Sequence, residues 1–137
     1  MPRLFLIILL LLTFTLLLAA CGGSVDDTSE APLDLAAQGE QLYKQATIGS
    51  ASSPGCVTCH SLEEGVSLVG PSHASVGARA GDQVDGQSAE DYIRESIIDP
   101  NAHVVDSYSP GVMYQNYGNE LTDEQIDALV AYMVSLR

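Results

Sequence analysis

The chain has 137 residues and a formal net charge of −13, with eighteen acidic residues against five basic ones. A surface this acidic is repelled by nucleic-acid phosphates and by anionic lipid headgroups, which argues against a nucleic-acid-binding function. It suits a protein partner with a basic docking face, reached by electrostatic steering that weakens with salt. A high net charge also keeps an exported domain soluble, and this simpler explanation stays open.

The N-terminus has the pattern of an export signal. Met1-Pro2-Arg3 is followed by an almost unbroken apolar run from Leu4 to Ala20. The run ends in Leu18-Ala19-Ala20-Cys21, which resembles the lipobox of bacterial lipoproteins, where the cysteine receives a diacylglycerol thioether and becomes the first mature residue. We predict a signal peptide over residues 1–20, a lipid on Cys21 and a body held outside the cytoplasm at a bacterial membrane. An uncleaved transmembrane anchor is the alternative, because the run is barely long enough to span a bilayer.

The mature chain divides into a tether and one domain. Residues 21–32 are rich in Gly, Ser, Thr and acids, which is typical of a flexible linker. Residues 33–137 are enough for one small domain with one core. This part contains no Phe or Trp, and its only aromatic residues besides histidine are six tyrosines. Such a core is easier to understand if a porphyrin fills its centre.

The domain is predicted to be all-α, with three main helices joined by loops. Apolar residues recur at helical spacing in each helix. Asp34, Ser88 and Thr122 are the candidate N-caps, and the last two begin patterns of the capping-box type. The predicted helices cover residues 34 to about 46, 88 to about 99, and 122 to near the C-terminus. The first and last are expected to cross where Gly39 and Tyr43 meet Tyr132.

Glycine-rich and proline-rich segments connect these helices. Residues 48–55 and 61–86 are predicted loops, and backbone so rich in glycine readily wraps a bulky object. Residues 101–119 form a third irregular stretch. A loop of that length inside a compact domain usually carries function.

Cys56-Val57-Thr58-Cys59-His60 is the pattern for covalent attachment of a c-type haem. Two thiols about one turn apart reach the two vinyl groups of a porphyrin, and the following imidazole lies where it can bind iron. A zinc site would need four ligands, and no second C-x-x-C or H-x-x-x-H exists. A thioredoxin-like redox pair would need a βαβ context. With Cys21 lipidated, all three cysteines are accounted for and one covalent haem c is predicted.

The sixth ligand of the iron has four candidates. Met113 lies in a Pro-Gly loop ahead of the last helix, from which its thioether could cross the haem face, and it is favoured. Met133 falls in the apolar stripe of the last helix. His73 is only 13 residues after His60, in a region expected to cover the same side of the haem, and His103 could be an exposed loop residue.

The order of these motifs resembles that of a class I, monohaem cytochrome c. The resemblance runs from about Leu35 to Arg137; the residues that carry it are Gly39-x-x-x-Tyr43, Cys56-Val-Thr-Cys59-His60, Gly70-Pro71, Met113 and Tyr132. It implies thioethers at Cys56 and Cys59, iron ligation by His60 and Met113, and a hydrogen bond from the His60 Nδ1 proton to the Pro71 carbonyl.

Two further details bear on the resemblance. Residues 88–113, with Tyr92-Ile93-Arg94-Glu95-Ser96-Ile97 and Asp99-Pro100-Asn101-Ala102, also look like cytochrome c domains attached to terminal oxidases. Family members often have proline after the ligand methionine, and this chain has Tyr114.

The predicted function is membrane-tethered one-electron transfer. With histidine and methionine on the iron, no site remains for a small-molecule substrate, so we expect a carrier and not an enzyme. The resemblance implies partners such as a quinol-oxidising complex, an oxidase, a photosynthetic centre or a reductase. The alternatives are a fixed haem subunit of a larger complex and a gas sensor or peroxidase in which Met113 is labile.

Overall fold

The structure is a computed structural model that describes residues 32–137. The predicted signal peptide, the lipobox cysteine Cys21 and the linker up to residue 31 lie outside the described residues. Among residues 32–137, no helix is both long enough and apolar enough to cross a membrane.

Helices and loops make up nearly all of the described chain, which confirms the all-α prediction. Two antiparallel two-residue strands, Thr47–Ile48 (β1) and Ser53–Pro54 (β2), form the sheet within it. The α-helices are Pro32–Tyr43 (α1), Val76–Arg79 (α2), Ala89–Ile98 (α3), Tyr117–Glu120 (α4) and Asp123–Ser135 (α5). Cys56–Thr58 and Ala80–Asp82 form short 3-10 helices.

Helices α1 and α5 cross closely, as the sequence predicts. A Cβ atom on Gly39 would lie 1.9 Å from the Ala128 carbonyl oxygen and 2.8 Å from Tyr132 Cβ. The two backbones therefore touch at a point that only glycine allows. One turn further along, the rings of Tyr43 and Tyr132 pack with centroids 5.4 Å apart. Tyr43 is completely buried by this crossing.

The predicted starts of α3 and α5 are also confirmed. The Ser88 hydroxyl accepts from the Asp91 amide at 3.1 Å, satisfying one free N–H at the start of α3. Thr122 and Gln125 form the reciprocal capping box at the start of α5. Both helices then bury one apolar face; the buried large side chains are Tyr92, Ile93, Ile97, Ile126, Leu129, Val130, Tyr132 and Met133.

Helix α1 differs from its predicted bounds at both ends. It begins at Pro32, so Asp34 lies within its first turn and is not its cap. It ends at Tyr43, before the expected Ala46, because the chain turns there into the hairpin of β1 and β2. The Ala46 carbonyl accepts from the Gly55 amide at 2.8 Å and closes the base of that hairpin. A two-residue strand is too short to show alternating hydrophobicity, so the prediction of a loop alone over residues 48–55 is wrong.

Short helical turns also interrupt the two longer predicted loops. Helix α2 and the 3-10 turn after it lie within residues 61–86, and α4 lies at the end of residues 101–119. None exceeds four residues, and α2 and α4 have no side-chain cap. Tertiary contacts hold them: Val76 and Tyr117 are both buried against the core.

Candidate haem centre

One cavity of about 320 Å³ brings together the residues that the sequence singles out. Its wall is mainly apolar and includes residues of α2, α3 and the loops before and after them. The predicted haem-binding residues all line it: Cys56, Cys59, His60, Pro71 and Met113. Residues from positions 56 to 113 therefore meet around one space, although the chain between them is largely irregular.

A tight turn sets the spacing of the two cysteines. The amides of Cys59 and His60 both donate to the Cys56 carbonyl, at 3.1 and 2.9 Å. The Thr58 hydroxyl donates to the Gly55 carbonyl at 2.6 Å and closes the same turn from outside. Both thiols are free and half-buried. Burial raises the pKa of the Cys56 thiol to about 11, so it is protonated at neutral pH.

Gly70 and Pro71 cradle the His60 imidazole. His60 Nδ1 lies 2.8 Å from the Pro71 carbonyl oxygen, which is the contact implied by the resemblance. Because a carbonyl oxygen only accepts, Nδ1 carries the proton and Nε2 keeps its lone pair. A Cβ atom on Gly70 would lie 2.3 Å from His60 Cε1, so only glycine fits at this position. Burial lowers the pKa of His60, opposed by its bond to Pro71, and favours the neutral ring that binds metals.

His73 lies against His60 on the same side of the cavity. The two imidazoles stack with centroids 3.9 Å apart and planes 15° apart. His73 Nδ1 is also 3.1 Å from the Tyr43 hydroxyl. Burial, with smaller contributions from His60 and Arg79, lowers the pKa of His73 well below its usual value and keeps it neutral. The sequence indicates the side on which His73 lies but not the hydrogen-bonded pair that it forms with Tyr43.

The two other candidate ligands occupy different surroundings. His103 is half-buried in the cavity wall, where its ring meets Tyr92 edge-on at 5.7 Å. Met133 is 6% exposed and belongs to the apolar core of α5, with one edge on the cavity.

Met113 lies in the irregular segment between α3 and α4, half-buried against the core. Side-chain contacts within that segment hold it on both sides. Asn101 Oδ1 accepts from the Gly111 amide at 2.8 Å, and Asn101 Nδ2 donates to Gln115. Gln115 Nε2 in turn donates to the Met113 carbonyl at 2.5 Å. The segment has no regular secondary structure, yet its backbone is fixed around the methionine.

The sequence profile described as cytochrome c matches residues 36–137. The chain belongs to the cytochrome c family. Members of this family bind a c-type haem covalently and carry electrons, and cytochrome c domains are typically extracytoplasmic. A search of curated proteins found no match.

The residues around the cavity fit such a haem. Two free thiols in one turn, a neutral imidazole with Nε2 available and a largely apolar wall are the groups that a covalently attached porphyrin requires. The zinc alternative has no comparable support: in the part of the chain that the structure describes, no three His, Cys, Asp or Glu side chains cluster as metal ligands.

Proposed function

We propose that this cytochrome c is a one-electron carrier whose haem iron is ligated by His60 and Met113 and joined to the chain through Cys56 and Cys59. The observation that carries the proposal is that a loop methionine and the attachment segment line the same cavity in a member of this family. Haem c, when bound, supplies an iron that gains and loses one electron. The protein is proposed to be a carrier and not an enzyme.

The side chains around the cavity would tune and protect that iron. The Pro71 carbonyl fixes the proton on His60 Nδ1 and increases the basicity of the opposite nitrogen. A thioether from Met113 would favour the ferrous state and raise the potential relative to two imidazoles. With both axial positions filled, no position would remain for a substrate, which favours outer-sphere electron transfer.

Exposed apolar side chains near the cavity mouth are the proposed contact surface. We name the following set the mouth patch: Val57, Leu68, Val69 and Val112, which are 38%, 53%, 54% and 55% exposed. Val69 and Val112 line the cavity itself, and Val57 stands between the two cysteines. Glu63 and Glu64, both exposed, precede Leu68 by five and four residues in the chain. Exposed apolar side chains together with charged ones are a common composition of transient protein interfaces.

The charge distribution favours a partner with a basic face. Every lysine and arginine in residues 32–137 already has an intramolecular contact: Lys44 with Glu40, Arg94 with Asp127, Arg79 with the Ser72 and Ala74 carbonyls, and Arg137 with the Gly77 carbonyl. Many of the acidic residues have no basic partner in this part of the chain, so the surface field is negative. A redox protein with a basic docking face would be attracted to it over a distance set by the ionic strength.

The membrane tether is proposed from the leader. A lipid on Cys21 and the linker that follows would hold the haem domain within about 36 Å of the bilayer when that linker is fully extended. Mass spectrometry of the purified wild type tests this: its N-terminal residue should be Cys21 carrying a diacylglycerol thioether. An intact N-terminus at Met1 with no lipid on Cys21 would instead favour an uncleaved N-terminal anchor.

Absorption spectroscopy of the purified holoprotein tests the ligand set. We expect a low-spin c-type spectrum with a sulfur–iron charge-transfer band. Met113→Leu should lose that band, and Met133→Leu, which removes the other mature thioether, should keep it. Rapid carbon monoxide binding by the reduced wild type would instead favour a sensor or peroxidase. Stable co-purification with an oxidase or reductase would favour a fixed subunit.

A further inference from the structure

Tyr114, the residue after Met113, is held at both its ring and its hydroxyl. The hydroxyl donates to Glu120 Oε1 at 2.5 Å. The ring packs edge-on against Tyr117, with centroids 5.0 Å apart and planes 64° apart. A proline at this position would stiffen the backbone through its own ring. Tyr114 instead fixes the segment through contacts to the following helix.

The Glu120 carboxylate joins three segments of the chain. Besides Tyr114, it accepts from Asn116 Nδ2 at 3.0 Å and from the hydroxyl of Ser53. Ser53 is 4% exposed and belongs to β2, three residues before Cys56. The carboxylate thus connects the Met113 segment, helix α4 and the strand that leads into the haem-attachment turn.

Two hydrogen bonds to backbone carbonyls run beside this connection. The Tyr117 hydroxyl donates to the Pro54 carbonyl at 2.5 Å. The Ser50 amide donates to the Glu120 carbonyl at 3.2 Å. The β1–β2 hairpin is therefore fastened to α4 on both sides of the Ser53 contact, which keeps Ser53 in place to meet the carboxylate.

The connection joins the segment that carries Met113 to the strand that leads into Cys56. Cys56 and Cys59 would hold the haem on one of these segments, and Met113 would reach it from the other. We propose that Tyr114, Glu120 and Ser53 form a bridge that positions the Met113 sulfur and slows its replacement by outside ligands. The proposal rests on Met113 being the sixth ligand, as argued above. None of the three residues touches the iron, so all are positioning residues.

The rate at which imidazole binds to the ferric holoprotein tests the bridge, because imidazole can bind the iron only after the Met113 sulfur has dissociated. Tyr114→Phe keeps the ring and removes only the hydroxyl; Ser53→Ala removes the opposite donor. Each should accelerate imidazole binding roughly tenfold, since each deletes a hydrogen bond to a charged group. The double variant should gain less than the product of the two single gains, because both changes break the same network.

Tyr132→Phe is the matched control. It removes the same atom from a tyrosine outside the cavity whose hydroxyl makes no hydrogen bond to the described residues, and it should bind imidazole at the wild-type rate. Equal acceleration in Tyr132→Phe, or no acceleration in Tyr114→Phe and Ser53→Ala, overturns the bridge. If the wild type itself lacks the sulfur–iron band, Met113 is not the ligand and both proposals are wrong. If the band is present and Tyr114→Phe and Ser53→Ala bind imidazole at the wild-type rate, only the bridge is wrong.

Discussion

His73 lies flat against His60, 3.9 Å between ring centroids, and takes its polar partner from Tyr43, whose side chain is completely inaccessible to solvent. The contact puts a second imidazole against the face of the proposed iron ligand. The Tyr43 hydroxyl is 3.1 Å from His73 Nδ1 and also donates to the His60 carbonyl at 3.5 Å. Removing one partner of such a pair leaves the other partner without its hydrogen bond, whereas replacing both partners by apolar groups costs less.

This pair predicts a strongly non-additive mutant cycle. His73→Leu should lower the free energy of unfolding by about 1 kcal/mol, because the Tyr43 hydroxyl loses its 3.1 Å partner and keeps only the longer contact, 3.5 Å, to the His60 carbonyl. Tyr43→Phe alone should also destabilise, by orphaning His73 Nδ1. The Tyr43→Phe/His73→Leu double variant should recover part of the loss, because neither half of the Tyr43–His73 pair is left without its partner, although the His60 carbonyl loses its Tyr43 donor. Denaturant unfolding of the four holoproteins measures the cycle, and simple addition of the two single losses would contradict it.

The helix crossing predicts a second stability effect. Gly39→Ala places a Cβ atom 1.9 Å from the Ala128 carbonyl oxygen, and backbone on both sides leaves little room to adjust. We expect α1 and α5 to move apart at a cost of about 1–3 kcal/mol. Gly81→Ala is the control, since its nearest neighbour would be at an ordinary 3.5 Å, and its effect should stay within about 0.5 kcal/mol. Equal unfolding midpoints for the two variants would show that the crossing relaxes freely.

Some parts of the fold and of the site can be predicted from local sequence patterns. These are the turn of the Cys56–His60 motif, the helix caps at Ser88 and Thr122, and the apolar stripe of α5. The contact of Gly39 with α5 was also predictable, because a glycine within an apolar helix face is explained by close approach.

Contacts between distant residues were not predictable in the same way. Ser53 and Glu120 are separated by 67 positions, and neither belongs to a sequence motif that would predict their contact. The β1–β2 hairpin and α4 are too short for periodicity and are held by tertiary contacts. The stacking of His73 on His60 depends on how residues 61–72 fold back. Each of these features is a consequence of packing, which a local pattern does not encode.

The bridge also predicts an acid-sensitive ligand segment. Hydrogen bonds from Ser53, Tyr114 and Asn116 lower the pKa of Glu120 below its usual 4.5. A carboxyl whose pKa is lower in the folded state stabilises that state above pH 4.5, and the contribution is lost as pH falls through the folded pKa. Below pH 4.5 we therefore expect the sulfur–iron band to weaken before the protein unfolds.

Glu120→Gln tests the origin of that transition. The amide keeps an acceptor for the Tyr114 hydroxyl and does not titrate, so its band should depend less on pH in the same window. Far-ultraviolet circular dichroism recorded in parallel separates loss of the ligand from loss of the fold. An identical acid profile in wild type and Glu120→Gln would assign the transition to another group.

The acidic surface and the mouth patch predict different effects on electron transfer to a basic redox partner. Raising the salt from about 0.1 to 1 M shortens the Debye length from about 10 to 3 Å and should slow the bimolecular rate, because long-range attraction is screened. Leu68→Ser removes apolar contact and should lower the rate by a similar factor at every salt concentration. Glu63→Gln should lower the bimolecular rate mainly at low salt, so that the rate depends less on the salt concentration than in the wild type. Stopped-flow measurement with the purified holoprotein separates the two contributions. A rate that rises with salt would mean that the partner's docking face is not basic.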